Sequence, residues 1–297
     1  MHKPAEFFAD LSLLFVAIIW GSTFIIVKQS VEYIPVFSFL FMRFALAGML
    51  LIFINAPKLK AIDKGVLTDG IMLGIALFLA YAFQTFALTV TSASITAFIT
   101  GLFVVFVPVL SSIFLKKLPR QEAMIGVVFA TIGLAFITLQ GKFFVSFGEF
   151  LAFVCAFFIA IHIILTDKLS RRNDFGLLTM VQVNMVALFS LIFSLFLDPC
   201  VIPRHFNNQL IFSLIINSVF ATVVAFVIQT SMQKHTTPTK AAIIFIMEPV
   251  SSAFFSYWIG GELLTAKQYV GTSFILLAMV FTEAGTYVKM KREATFV

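Results

Sequence analysis

Ten apolar runs, each close to the about 20 residues that a hydrocarbon core requires, follow one another with only short polar connections between them. Lipid offers no partner to a backbone N–H or C=O, so a run of that length is stable there only as a helix. Strands of a membrane barrel would instead alternate apolar and polar residues over about 10 positions, which these runs do not do. The expected spans are Leu11 to Val27, Val36 to Ile54, Asp69 to Leu88, Ala93 to Leu115 and Glu122 to Leu139. They continue with Phe147 to Leu165, Leu177 to Leu197, Gln209 to Met232, Thr239 to Gly260 and Gln268 to Val288. The longest connection, residues 55–68, leaves no room for a domain outside the membrane. The chain is 61% hydrophobic and only 11% charged, against about 25% charged residues in a soluble domain. Its partners are therefore a lipid bilayer and whatever the helices enclose.

The net charge of +6 does not point to nucleic acid, because the basic residues stand singly or in small groups between apolar runs and read as topology signals. With the amino terminus inside, Lys58, Lys60, Lys64, Lys116, Lys117, Arg120, Lys168, Arg171 and Arg172 all fall on the inner side, with Lys3, Lys234, Lys240, Lys289, Lys291 and Arg292. Only Lys28, Lys142, Arg204 and Lys267 fall outside, and Arg43 lies within a span. This bias predicts a multi-pass protein of the cell (cytoplasmic or inner) membrane with both termini in the cytoplasm. Lys3 and the run from Leu11 resemble a secretion signal, but the run continues through Trp20 to Val27 with no cleavage site, which predicts a retained first span.

The stretch from Tyr81 to Thr138 returns 145 positions later as Phe226 to Glu283. Without a gap, Gln84 falls on Gln229, Thr85 on Thr230, Thr91 on Thr236, Ala97 on Ala242, Leu118 on Leu263 and Gly126 on Gly271. Five spans per copy is an odd number, so the second copy enters from the opposite side of the membrane. The expected fold is all-α and integral to the membrane, ten transmembrane helices as two inverted five-helix repeats, residues 1–140 and 141–297. Many secondary transporters use such symmetry to open one site to either face.

Trp20-Gly21-Ser22-Thr23-Phe24 with Lys28, and Arg43-Phe44 in the second span, resemble the opening signature of the EamA-type branch of the drug/metabolite transporter superfamily. Phe106-Val107-Pro108, Glu248-Pro249, Gly261-Glu262 and Gly271 resemble the same family's repeat pattern. The resemblance implies a small-molecule carrier, often an exporter of amino acids or other metabolites, with a central cavity lined largely by spans 1, 3, 4, 6, 8 and 9. The chain departs from that pattern in two places. Lys116-Lys117 stand where the second copy has Gly261-Glu262, and Val104 stands at the position of Pro249, with Pro108 one turn later.

Polar residues inside spans are costly and tend to face the bundle interior, which makes them the candidate site. Arg43 reads as a clamp for an anion or carboxylate, or as a structural tie to helix carbonyls. Glu248, near the midplane, reads as a proton-coupling site or cation partner, or as a helix tie beside Pro249. Gln84 and Gln229, one repeat position in two copies, read as polar latches near opposite gates or as interhelical hydrogen-bond glue. Trp20 and Thr23 share a face and read as a cavity wall that offers an aromatic surface and a hydroxyl, or as simple packing. Tyr81 stands one turn before Gln84, and His162 reads as a substrate partner, a proton relay or a packing residue. Gly126 with Gly133, and Gly271 with Ala278, predict close helix contact, either a scaffold or a homodimer face.

No ATP-binding loop, no nucleophile with its base, and no metal-ligand spacing is present; Cys155 and Cys200 stand apart, and Gly260-Gly261-Glu262 has no Lys-Ser/Thr after it. The expectation is a carrier and not an enzyme, without cofactor or metal, that moves a small-molecule substrate. Multidrug or cation efflux and metabolite uptake are the alternatives among carriers. An integral-membrane lipid-handling protein is the alternative from another class.

Overall fold

The computed structural model describes residues 3–114, 125, 126, 128, 129, 131–133, 136, 146–235, 241 and 244–295. Most of the expected span Glu122 to Leu139, the basic connection with Lys116, Lys117 and Arg120, and Lys142, Thr239 and Lys240 lie outside those residues. Among the described residues the chain is helical, and seven stretches are long and apolar enough to cross a membrane. They are α1 (Lys3–Val31), α2 (Val36–Ile54), α3 (Lys64–Val90), the pair α4 (Ala93–Thr100) and α5 (Phe103–Phe114), α6 (Phe147–Ser170), α7 (Phe175–Leu197), and a composite of α8 (Asn208–Ile215), a π-helical segment (Ile216–Val224) and α9 (Ala225–Met232). Two further helices follow, α10 (Met247–Gly260) and α11 (Ala266–Thr295).

Several helices begin earlier than their apolar runs, because polar side chains cap them. Asp63 accepts from the Val66 amide at 2.7 Å and starts α3 at Lys64, ahead of the expected Asp69. Asp174 accepts from Gly176 and Leu177 at the start of α7, while α6, capped by a reciprocal box of Ser146 with Glu149, starts at the expected Phe147. Such caps satisfy amides that have no partner within the helix.

Two expected spans are interrupted. Between α4 and α5 the bonding tightens to i→i+3 at Gly101 and Leu102, with Leu102 N donating to Ile99 O and Val104 N to Gly101 O. A turn at Ile246 interrupts the approach to α10, 145 positions further on. α10 ends where Gly261 adopts φ +64°, a left-handed conformation that glycine enters without a Cβ penalty.

α3 packs against both α6 and α7, α2 against α7, and α1 against α10. The last contact needs Gly21. A Cβ there would overlap the Glu248 carbonyl oxygen and stand 2.6 Å from Ser251 Cβ, so the α1 backbone rests directly on α10 beside Glu248. Gly133 packs within the chain on the Gly271 carbonyl and the Ile275 backbone, where its Cβ would meet atoms at 2.7 and 2.9 Å, so this small-residue pair serves as an internal contact.

Polar ties gather at two ends of the bundle. At the end rich in Lys and Arg, here called the basic end, Arg172 Nε donates to Asp69 at 2.8 Å and Lys58 pairs with Asp174 at 2.8 Å. At the opposite end, Glu262 in the turn after α10 accepts from the amides of Ala93 and Ser94 at 2.8 and 3.0 Å and from Lys28 Nζ at 3.2 Å. One carboxyl thus joins the start of α4, the end of α1 and the turn before α11. Burial pushes the Glu262 carboxyl up, but the Ala93 and Ser94 amides, the Lys28 ammonium and the Ser94 hydroxyl together outweigh it and hold the group below its ordinary value.

A carboxyl whose value is lowered by folding contributes stability above its unfolded value, and that contribution is lost as pH falls through the folded one. The thermal midpoint of the purified protein is expected to exceed that of Glu262→Gln by a constant margin at neutral pH. That margin should shrink as pH falls below about 4.3, the ordinary value of a glutamate. Gly21→Ala is expected to cost about 1–3 kcal/mol, as overpacking does, read as a fall in the same midpoint. An Ala at exposed Gly65, where an added Cβ meets only the Asp63 side chain, at 3.2 Å, serves as the comparison.

Candidate functional site

The interiors of α1, α2, α3, α6, α9 and α10 carry isolated polar side chains, and the fold turns all eight of those singled out above onto one cavity. Trp20, Thr23, Arg43, Tyr81, Gln84, His162, Gln229 and Glu248 line it, with Phe103, Phe226, Phe245 and Leu88 among the apolar remainder. The void among them is about 50 Å³, far below the about 300–1,000 Å³ of small-molecule sites. The side chains are drawn in around a narrow void.

Arg43 is 2% exposed and held by neutral groups. Its Nε donates to Thr222 Oγ1 at 3.0 Å, and one terminal nitrogen donates to the Tyr81 hydroxyl at 3.2 Å and to the Ala221 carbonyl at 3.4 Å. The guanidinium carbon lies 4.6 Å from the centre of the Tyr81 ring, a cation–π arrangement. No carboxylate pairs with Arg43 among the described residues.

The π-helical segment supplies two of the partners of Arg43. The Ala221 carbonyl accepts from Trp20 Nε1 at 2.9 Å as well as from Arg43, while the Thr222 hydroxyl donates to Asn217 O at 2.7 Å. Short π segments are frequent at functional sites.

Glu248 is the second residue of α10, just past the turn at Ile246, and is 6% exposed. Its carboxyl borders the cavity and has no hydrogen-bond or ion-pair partner among the described residues. His162, 3% exposed, donates from Nε2 to Gln182 Oε1 at 2.9 Å, which leaves Nδ1 as an acceptor. Thr23 spends its hydroxyl on the Trp20 carbonyl at 2.8 Å and so presents mainly its methyl group. Gln229 is buried with Oε1 unpartnered, and it borders the same cavity as Gln84.

Aromatic rings close the walls. Trp20 packs on Phe226 and Phe245 at centroid distances of 5.3 and 5.6 Å, and Tyr81 meets Phe226 edge-on at 6.3 Å. Phe226 and Phe245 escaped the sequence reading because a Phe in an apolar run carries no signal among 39 of them. Phe226 was nonetheless reachable, since it stands 145 positions after Tyr81. Gln182, the partner of His162, was a polar residue in an apolar run and could have been chosen on the same grounds as the others.

The EamA-like transporter family matches this sequence twice, over residues 7–139 and 146–283. An uncharacterized transporter of Archaeoglobus fulgidus is 34% identical over 273 residues, covering 92% of this chain and 85% of the relative. The uncharacterized transporter YoaV of Bacillus subtilis is 24% identical over 289 residues, covering 95% and 98%. A protein known from a crystal structure shares the fold with a TM-score of 0.65 at 16% identity, over 92% of this chain and 95% of the other. Apolar helices of spanning length, a cavity among them and a twofold match over most of the sequence converge: the chain is a multi-span membrane protein and belongs to the EamA-like transporter family.

Proposed function

We propose that the protein is a secondary carrier that exports small zwitterionic metabolites of the amino-acid class across the cell membrane, opening its cavity alternately to the two faces. The observation that carries this reading is a pair of opposite groups lining one cavity. Arg43 has only neutral partners and Glu248 has none, and the two are not paired with each other. An unpaired ionic group away from water is costly, so a ligand that supplies a carboxylate to Arg43 and an ammonium to Glu248 is favoured by both. The aromatic wall of Trp20, Phe226 and Phe245 suits an apolar side chain between them.

The plan proposed for alternating access is ten spans in two inverted halves, residues 1–140 and 141–297, with both termini in the cytoplasm. The twofold family match and the helix interruptions 145 positions apart agree with that plan. In it the Glu262 clamp closes the outer end over α4, and Gln84 and Gln229, at equivalent positions, act as latches toward opposite faces. Glu248 takes up a proton when no ammonium is present, which couples export to the proton gradient. A second reading, efflux of aromatic cations, is favoured by the rings around Glu248 and would leave Arg43 a purely structural role.

Reconstituted protein is expected to move labelled L-phenylalanine across sealed vesicles without ATP. Arg43→Gln and Glu248→Gln should each cut that flux at least tenfold, the loss of one charge-assisted bond of about 1.5–3 kcal/mol. Flux of a cation without a carboxylate, such as phenethylamine, that survives Arg43→Gln would support the second reading instead. Flux that persists in Glu248→Gln would remove Glu248 from the mechanism.

A further inference from the structure

Between the cavity and the basic end, α6, α7 and the end of α9 turn polar faces toward one another. His162, Thr166 and Ser170 succeed each other at i, i+4 and i+8 on one face of α6, a stripe about 12 Å long at 1.5 Å per residue. Thr179 and Gln182 come from α7, and Gln229 and Gln233 from α9 and the 3-10 turn after it. Hydrogen bonds link all three helices. His162 donates to Gln182, Gln182 Nε2 reaches Thr230 Oγ1 at 3.5 Å, and Gln233 Nε2 donates to the Ile163 carbonyl at 3.0 Å.

The remaining polar atoms of this sector have no partner in the protein. Thr166 Oγ1, Ser170 Oγ, Thr179 Oγ1, Gln229 Oε1 and Gln233 Oε1 are buried and unbonded among the described residues. Hydroxyls within helices usually donate to the carbonyl one turn back, as Ser30 and Thr96 do here, yet Thr166, Ser170 and Thr179 do not. Burying one such group dry costs a folded protein as much as losing a hydrogen bond or more, and five of them in one sector compound that cost. Buried water, which makes about three hydrogen bonds, is the usual remedy.

The two ends of the sector meet different surroundings. His162 and Gln229 border the cavity that holds Glu248, whereas Ser170 closes α6 immediately before the exposed Arg171 and Arg172. We propose that this sector holds a file of water molecules that carries protons between the basic end and the cavity, and that Glu248 is the group it serves. A hydronium arriving along the file gives one proton to the Glu248 carboxylate and leaves as water; the reverse step returns the proton to the file. Arg43, Tyr81 and His162 are the other titratable groups on the same cavity, and buried Cys155 accepts from Thr100. This inference rests on the carrier reading for its transport consequence, but the hydration of the sector does not.

Thr166→Val and Thr179→Val remove the hydroxyls at constant shape without touching the cavity lining, so each variant and the double variant test the file. The first readout is the thermal midpoint. Hydrated groups predict a lower midpoint in each variant, whereas dry unbonded hydroxyls predict a higher one, which would overturn the proposal. The second readout is made in vesicles with a trapped pH dye. L-Phenylalanine exchange at equal pH is expected to be unchanged, while phenylalanine flux driven by a pH gradient, and the dye response that accompanies it, should fall at least tenfold in the double variant. Gradient-driven flux equal to wild type would overturn the proton file, and so would a wild-type flux that requires sodium and moves no protons. Absence of any wild-type exchange would count against the carrier reading, and the sign of the midpoint change then decides the water file by itself.

Discussion

A polar group inside a bilayer finds no partner except one the protein provides, and every notable feature of this molecule follows from how that demand is met. The backbone meets it by forming helices. Arg43 meets it with the Thr222 hydroxyl, the Tyr81 hydroxyl and ring, and the Ala221 carbonyl of the π segment. Glu248 meets it with nothing from the described residues, and neither do five groups between α6, α7 and α9. Buried oxygens of Thr91, Ser190, Asn217, Ser218 and Ser256 are also unbonded among the described residues, so the demand is unmet at further places in the fold.

Those same contacts also fix the geometry of the site. Gly21 lets α1 rest on α10 beside Glu248, and Trp20, its neighbour, reaches the Ala221 carbonyl that Arg43 shares. The first, second, eighth and ninth expected spans thus meet around one constellation. At the far end, Glu262 ties α1, the start of α4 and the turn before α11 through a single carboxyl. A movement of α4 away from α1 must first release that carboxyl.

Much of this was legible in the sequence because lipid makes polarity conspicuous. Each of the eight candidate residues drew notice as a polar or amphipathic side chain in an apolar run, and all eight border one cavity. The starts of α3 and α7 were less legible, since the capping residues Asp63 and Asp174 lie outside the apolar runs that defined the spans, whereas α6 starts at the expected Phe147. The break at Gly101 and the turn at Ile246 left no mark in hydropathy, because both sit within uninterrupted apolar stretches. The π segment was equally silent: Ile216 to Val224 has the composition of any buried helix. Gly21 stood in a quoted motif, but its purpose, a backbone contact with Glu248, emerges only when α1 and α10 are placed together.

The central claim is that Arg43 and Glu248 read the two charged ends of one ligand. Calorimetric titration of the purified protein with L-phenylalanine, its methyl ester and 3-phenylpropionate tests this most directly, because the last two each lack one of the charges while keeping the ring. The account predicts that phenylalanine binds at least tenfold more tightly than either analogue. Equal affinity for phenylalanine and its ester would contradict it, since Arg43 would then contribute nothing to recognition.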